Sequence, residues 1–461
     1  MQRSGEQARG DASPAPRSPR ASACPGLMRI VRAADGGLCR LRLPGGALQV
    51  AQAHAIAAAA ARFGNGVIET TNRGNLQLRG VRDGAHAALI EALLDAGLGP
   101  STPGGDDARN VMFSPAAGRD RLALVDTRPL GAALLQGWQA QTALHALSPK
   151  FSLLIDGGEA LCAVDHVQDL WWSASAERDR EDDVLFAFGL AGAPARGAGA
   201  LGLAPARYLV ASSMALLHAF LSHAPAGASR MRDLSPALRA RLVDTARAQV
   251  GALRLLPQQP RCRAPHARAA AQAVGIVPQR QAGLCLVGAQ PPLGRFDSTA
   301  LQRLADLAAE MSQPPAGDAP LAITPWHGVL LRDIPEARAL ATQARLRAAG
   351  LLTDGAAPLA RMIACAGSSG CARALADTQS DARRLAEHLG EAACSAPRVH
   401  LSGCARSCAV AGAAPFTLLA CAPGRYTLYR ASEGPGFGQA IASRLTIEAA
   451  AARLAAQDTD A

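Results

Sequence analysis

The fold class the sequence predicts is α/β (α+β), internally duplicated into two pseudo-symmetric halves, and three observations point to it. The chain has 461 residues, about three times the size of a common domain, so several domains are expected rather than one core. Apolar residues make up 49% of it and aromatics only 3%. Alanine supplies much of that apolar count, which favours a lean core rich in helices. The third observation is a repeat: residues 69–80 (ETTNRGNLQLRG) align with residues 322–333 (AITPWHGVLLRD) at a shift of 253, with Thr71 opposite Thr324, Leu78 opposite Leu331 and Arg79 opposite Arg332. A duplicated unit changes how every motif is read.

The elements follow in order. Cys39, Leu41 and Leu43 alternate with Arg40 and Arg42, the period-2 mark of a half-buried strand. Residues 51–63 predict a helix and residues 67–69 a second strand. Residues 38–64 match residues 284–310 in pattern, each reading as strand, turn and amphipathic helix. Further on, residues 107–113 (DARNVMF) pair with 359–365 (LARMIAC), and 148–156 (SPKFSLLID) with 396–404 (APRVHLSGC), in the same order in both halves. Arg109 then falls opposite Arg361 and Lys150 opposite Arg398. The copies are placed at 24–175 and 281–430. Between them, residues 176–280 carry strand-like VLFAFGL (184–190) and RYLVAS (207–212) and a helix over 213–222, and complete the first half. Two such halves share an interface, a natural place for a large ligand.

The net charge of +10 at pH 7 favours an anionic partner or substrate. Lys150 is the only lysine, beside 46 arginines. A sole survivor of such bias marks either a chance position or one where a compact ammonium is needed and a planar guanidinium fails. No apolar run reaches the roughly 18 residues of a membrane helix, and residues 1–23, rich in Pro, Ser and Arg, lack the apolar middle of a secretory signal. They read as a disordered tail. The expectation is a cytoplasmic monomer with neither nucleic acid nor membrane as partner.

Eleven cysteines in a reducing compartment are metal-ligand or redox candidates where they cluster. Cys365 and Cys371 form C-x5-C, and after 32 residues Cys404 and Cys408 form C-x3-C. Four thiolates on two loops can hold a [4Fe-4S] cluster, one iron corner each. The small residues Gly367, Ser368, Ser369, Gly370 and Gly403 let the loops approach closely, and residues 373–389, with apolar positions at helical spacing, carry the chain from one pair to the other. Structural zinc is one alternative, although its pairs usually enclose two to four residues. Inert buried thiols are the other, a description that suits Cys39, Cys162, Cys285 and Cys421. Cys24, Cys262 and Cys394 have no evident partners.

In the first half Arg73, Asn75, Gln77 and Arg79 are spaced by two. In an extended strand all four would form one polar face over Leu76 and Leu78, suited to a ligand with several carboxylates. The matching positions of the second half, Trp326, Gly328, Leu330 and Arg332, have lost most of that face. One half therefore offers cations and the other redox metal, with Arg109, Lys150, Arg361 and Arg398 expected at the shared interface. The plain alternative for Arg73 and Arg79 is a solvated strand face.

These residues resemble the siroheme nitrite and sulfite reductase superfamily over most of the chain, from about residue 24 to 430. The resemblance is carried by Thr71-Asn72-Arg73-Gly74-Asn75-Leu76-Gln77-Leu78-Arg79-Gly80, then Arg109-Asn110-Val111, Ser148-Pro149-Lys150-Phe151 and the two cysteine pairs. Within it the chain is most similar to the precorrin-3B synthase branch, through Cys24-Pro25-Gly26-Leu27 and the stretches DGGLCRLRLPGG, NRGNLQLRG and SPKFSLLIDGG. Departures from the reductases agree: the chain is shorter, Gly74 stands where they have glutamine, and Ser152 where sulfite reductases carry a second lysine.

The resemblance implies ferredoxin-like half-domains at 24–100 and 281–352 and nitrite/sulfite reductase-type domains at 101–280 and 353–430, the last holding the cluster, with tails at 1–23 and 431–461. It implies a monooxygenase that hydroxylates precorrin-3A at C20 with O2 and closes a γ-lactone, drawing electrons from an external NAD(P)H-linked donor. A [4Fe-4S] cluster and a mononuclear non-haem iron of unknown ligands are implied with it. Arg73, Arg109 and Lys150 would be catalytic, and Asn75, Gln77, Arg79, Arg361 and Arg398 would bind substrate. The ten histidines, scattered along the sequence, single out no two-histidine, one-carboxylate iron set. A siroheme-dependent reductase is the alternative; there the cysteine matching Cys408 also bridges to the siroheme iron. A non-catalytic iron-sulfur or tetrapyrrole-binding protein is the second alternative.

Overall fold

The computed structural model describes residues 24–195, 199–255, 273–390, 398–410, 412, 414–432 and 436–457. The expected tail at 1–23, and Cys262 and Cys394, lie outside the described residues. The first half opens with β1 (Val31–Ala33), β2 (Gly36–Leu41), β3 (Ala47–Leu48), α1 (Val50–Phe63), β4 (Val67–Thr70), β5 (Leu76–Val81) and α2 (His86–Asp95). It continues with β6 (Val111–Phe113), α3 (Arg128–Ala140), β7 (Leu153–Asp156), β8 (Gln168–Arg178), β9 (Val184–Gly192), β10 (Gly202–Pro205), α4 (Leu209–His223), α5 (Pro236–Val250) and β11 (Arg254–Leu255). The second half has β12 (Gly275–Pro278), β13 (Leu284–Ala289), β14 (Arg295–Asp297), α6 (Ser298–Met311), β15 (Leu321–Ile323), β16 (Val329–Pro335) and α7 (Glu336–Ala348). Then come β17 (Met362–Ala364), α8 (Thr378–Leu389), β18 (Val399–Ser402), β19 (Phe416–Ala422), β20 (Arg425–Arg430), β21 (Gln439–Leu445) and α9 (Ile447–Gln457).

The duplication is written in the sheets. The two small sheets run β1-β2-β5-β4-β14 and β12-β13-β16-β15-β3: each takes its fifth strand from the other half, through Glu69 opposite Arg295 and Ala47 opposite Ala322. Their helices α1 and α6 pack together, so Leu41, Ile56 and Leu78 share one buried core with Val287, Leu301 and Leu331. The two larger sheets run β11-β10-β9-β8-β7-β6 and β17-β18-β19-β20-β21. In both, two parallel pairings are followed by two antiparallel ones, the first sheet adding a third through β11, and each keeps its own core.

Two expectations are corrected. RYLVAS is not a strand: after Pro205 a short 3-10 turn leads straight into α4, because Leu209, Leu216, Leu217 and Phe220 repeat at helical spacing and bury one face. The expected tail at 431–461 is corrected over residues 436–457, since β21 pairs with β20 and α9 buries Ile447, Ala450 and Leu454 in the core of that sheet. They are the second copies of β10 and α4.

Candidate functional site

Parallel strands β17 and β18 end side by side, so Cys365, just past the first, and Cys404, two residues past the second, emerge at one sheet edge, the usual place for ligands in such sheets. The Cys365 amide donates to Leu401 O (3.2 Å), and the Gly403 amide donates to Cys365 Sγ (3.2 Å). Gly367 turns the loop with φ +66, where a Cβ would lie 2.9 Å from the Thr378 amide nitrogen. Burial and the other three thiols, Cys404, Cys365 and Cys371, push the Cys408 thiol up, so Cys408 lies within electrostatic reach of all three. Among the described residues no three of these sulfurs lie within 4.8 Å of one another, whereas one tetrahedral zinc would bring them to ~3.8 Å. A gathered but open set of thiolates, with an amide aimed at sulfur, fits an iron-sulfur cluster better than a single ion.

The polar comb is corrected. Gly74, at φ +68, turns the chain before β5 begins, and a Cβ there would lie 2.9 Å from Ile323 O, so Arg73 and Asn75 are not on the strand. Asn75 is buried and accepts the Leu43 amide at 2.8 Å. Gln77 accepts from Arg40 (3.0 and 2.7 Å) and donates to Glu69 Oε2 (3.1 Å). Arg79 is buried, paired with Asp35 (2.8 Å) and Glu69 (3.0 Å), and donates to Gly370 O at 2.5 Å. These three side chains serve the protein itself, not a ligand carboxylate. Burial raises the Glu69 carboxyl, yet Arg79 and Arg295 hold it below the usual range.

Arg73 stays available. One nitrogen donates to Gln168 Oε1 (3.1 Å) and lies 3.6 Å from Met112 Sδ; among the described residues its other N–H groups have no partner. Burial and Arg230 lower it to about 10, leaving it charged near neutrality. Arg109 is different: it is buried, with its terminal nitrogens donated to Leu98 O (3.0 Å) and Arg42 O (3.2 Å), and so ties the first two domains together rather than lining the interface. Lys150 is exposed; its neighbour Phe151 takes the buried place, against Trp138 and Phe220. The same loop reaches Arg73's surroundings through the Ser152 amide, which donates to Asp169 (2.9 Å), itself paired with Arg230 (2.8 Å).

Arg361 and Arg398 are half-buried, and Arg398 lies within electrostatic reach of both Asp165 and Arg361. On their sheet, fully buried His400 has no partner for either ring nitrogen among the described residues, and Thr417 opposite it has none for its Oγ1. Burial pushes His400 and His166 down to about 4, so both are neutral near pH 7. The expected equivalence of these arginines with Arg109 and Lys150 is corrected by the strand registers. Val111 pairs with Leu153 as Met362 does with Val399, and the Leu124 amide bonds Gly157 O as the Leu375 amide bonds Gly403 O. Ser152, not Lys150, thus corresponds to Arg398, and Asn110 to Arg361.

That register also identifies what the first half has in place of the cluster cysteines: Ser114, Asp120, Gly158 and Cys162. There Ser114 Oγ donates to Leu161 O (2.9 Å) and Asp120 Oδ2 accepts the amides of Ala160 (2.8 Å) and Leu161 (3.3 Å), hydrogen bonds that close the loops equivalent to the two cysteine loops of the second half. Cys162 is buried with Asp156 and Glu159, their ligand atoms within 4.8 Å of one another. Burial and Asp156 push Glu159 up to about 8. Of the other thiols read as buried and inert, Cys39 and Cys285 are buried and Cys421 is exposed. The sequence reading missed Arg40, Glu69, Arg295, His327 and His400; their signal was proximity in the repeat to the comb and the cysteines.

The family model of the nitrite/sulfite reductase ferredoxin-like half domain matches residues 31–96 and 277–349, and that of the nitrite and sulphite reductase 4Fe-4S domain matches residues 104–232. The second match lies in the first half, not on the cysteine loops. A precorrin-3B synthase of Sinorhizobium is 29% identical over 438 residues, 95% of this chain and 88% of that protein. A ferredoxin–nitrite reductase of Synechococcus elongatus is 31% identical over 395 residues, 80% of this chain and 73% of the relative. The structure of the NirA protein of Mycobacterium tuberculosis superposes with a TM-score of 0.71 at 20% identity, covering 89% of this chain and 78% of that one, a likeness of fold. No described helix is long and apolar enough to cross a membrane.

Proposed function

The chain belongs to the nitrite/sulfite reductase family, and from that membership we propose that it is a precorrin-3B synthase. The reaction is oxidation of precorrin-3A by O2: one oxygen atom becomes the C20 hydroxyl, the other leaves as water with two electrons from a reduced pyridine nucleotide by way of a separate donor, and a ring-A acetate closes a γ-lactone. The observation that carries this reading is extent: likeness to the Sinorhizobium synthase runs over 95% of this chain and 88% of that protein.

Cys365, Cys371, Cys404 and Cys408 would hold the [4Fe-4S] cluster, which supplies electrons one at a time when bound. The rest is the work of side chains. Arg73, with Lys150 at the rim and Arg361 and Arg398 across from Asp165, offers guanidinium and ammonium donors to the carboxylates of the macrocycle and fixes its orientation. Asn75, Gln77, Arg79 and Arg109 hold the walls. For the mononuclear iron, among the described residues no set of two histidines and a carboxylate closes to within 4.8 Å. The Asp156–Glu159–Cys162 group already accepts hydrogen bonds from Ser173, Gly158, Thr127 and Gly157. The described residues do not fit a mononuclear iron held by protein donors.

A siroheme nitrite reductase is the second reading, favoured by the 31% identity to the Synechococcus protein. Against sulfite chemistry stands Ser152, fully buried where a second cation would be required. The absorption spectrum of the aerobically purified protein separates the two: the synthase gives a broad iron-sulfur shoulder without macrocycle bands and turns over precorrin-3A with O2, whereas Soret and long-wavelength bands with nitrite turnover would overturn it.

A further inference from the structure

Glu69 sits at a crossing point. In the small sheet it faces Arg295 on one side, the strand donated by the second half, and Gln77 on the other. Its Oε1 accepts Arg295 Nε at 2.7 Å and its Oε2 accepts Arg79 Nη1 at 3.0 Å. Each arginine reaches on to the loop of the first cysteine pair. Arg295 Nη2 donates to Ala366 O at 3.4 Å, beside Cys365, and Arg79 Nη2 donates to Gly370 O at 2.5 Å, beside Cys371. One buried carboxylate therefore holds two guanidinium groups that pin both ends of the C-x5-C loop.

The next residue serves the other loop. Thr70 O faces His327 Nδ1 at 3.0 Å, and His327 Nε2 faces Ala409 O at 2.8 Å, one residue past Cys408. His327 has φ +63, unusual for a side chain, and occupies the repeat position of Gly74. The same hydrogen bond closes both turns, Thr71 N to Asn75 O and Thr324 N to Gly328 O, each 2.9 Å. The symmetry-related place, against the Ser114–Asp120 loop of the first half, lacks most of this. At the places of Glu69 and Arg295 stand Ala322 and Ala47, and Arg332, the counterpart of Arg79, bonds only carbonyls, Pro115 O (3.0 and 2.7 Å) and Ala319 O (3.3 Å). The carboxylate-centred clamp is built only against the loop that carries the cysteines, with Glu69 and Arg79 supplied by the other half.

We propose that Glu69 is a positioning residue for the cluster: through Arg79 and Arg295 it holds the Cys365–Cys371 loop in place and, together with Asp35 on Arg79, balances the two cations beside it, and so sets the potential at which electrons enter the reaction. This rests on the cluster reading above. Removing the negative charge leaves an uncompensated cation near a group that becomes more negative on reduction, which favours the reduced form.

The test is a redox titration of the complete holoprotein followed by EPR of the reduced cluster. Glu69→Gln keeps the side chain's shape and should raise the ratio of reduced to oxidised cluster at a fixed ambient potential at least tenfold, about 59 mV for a one-electron step, with altered g-values. Glu69→Gln combined with Arg295→Gln restores the charge balance and should return the midpoint toward wild type. Should Glu69→Gln not fold, Arg295→Lys keeps the charge but not the fork, and should release iron to a chelator about tenfold faster. Wild-type midpoint and g-values in Glu69→Gln, or wild-type chelator release in Arg295→Lys, overturn the proposal. Absence of iron and sulfide from the wild-type protein would instead overturn the cluster reading beneath it.

Discussion

Replacing Arg73 by Gln tests the cation that the site leaves free for a ligand. One nitrogen is held by Gln168 at 3.1 Å, so the remaining N–H groups can meet one carboxylate as a pair. A hydrogen bond to a charged group contributes roughly 1.5–3 kcal/mol, and about 1.4 kcal/mol is tenfold in affinity. The substitution should weaken tetrapyrrole binding between roughly 10- and 150-fold. Stability should not fall with it, since the neighbouring cations Arg230, Arg40 and Arg42 repel Arg73 and their repulsion is relieved. The assay is titration of the cluster-loaded protein with precorrin-3A, or with a stable octacarboxylate tetrapyrrole, followed in the macrocycle absorption, with a thermal melt in parallel. The pH profile carries a sign: burial lowers Arg73 to about 10, so its contribution is present below that pH and lost as pH rises through it. Unchanged affinity in the variant refutes the assignment, as does a loss matched by an equal loss of stability.

Lys150→Arg keeps the charge and changes its shape; turnover should fall at least tenfold with fold intact, and wild-type kinetics would make the lone lysine accidental. Cys365→Ser should remove the visible shoulder and activity together, whereas full iron and sulfide in that variant would eliminate the ligand assignment. Glu159 is raised to about 8 by burial and Asp156, so the folded state holds a proton that the unfolded state has lost. Stability should fall by up to about 1.4 kcal/mol per pH unit from about pH 5 to 8 on this group's account. Denaturant titrations of Glu159→Gln should lack that component, and identical pH slopes in both proteins would contradict it.

The duplication was legible because Thr71 and Thr324, Leu78 and Leu331 and Arg79 and Arg332 keep their spacing, and the paired sheets bear it out. The strand exchange was not, because β3 is two residues long and carries no period. The last strand and helix were missed because matching stopped at residue 430, although β10 and α4 had already set their pattern. The cysteines were readable since C-x5-C and C-x3-C are local. The comb misled because a single glycine, Gly74, turns the chain out of register, and because Glu69 and Asp35 take up Arg79 from positions the spacing of charges does not reveal. Arg295 reaches Glu69 only across the exchanged strand, a relation visible in three dimensions alone.

The reaction itself is tested most directly with precorrin-3A, reducing equivalents and isotopically labelled dioxygen, by mass spectrometry of the product. A precorrin-3B synthase gives a lactone product carrying one labelled oxygen atom at C20. An unlabelled product, or no tetrapyrrole product from protein whose cluster is full and which reduces nitrite instead, would contradict it.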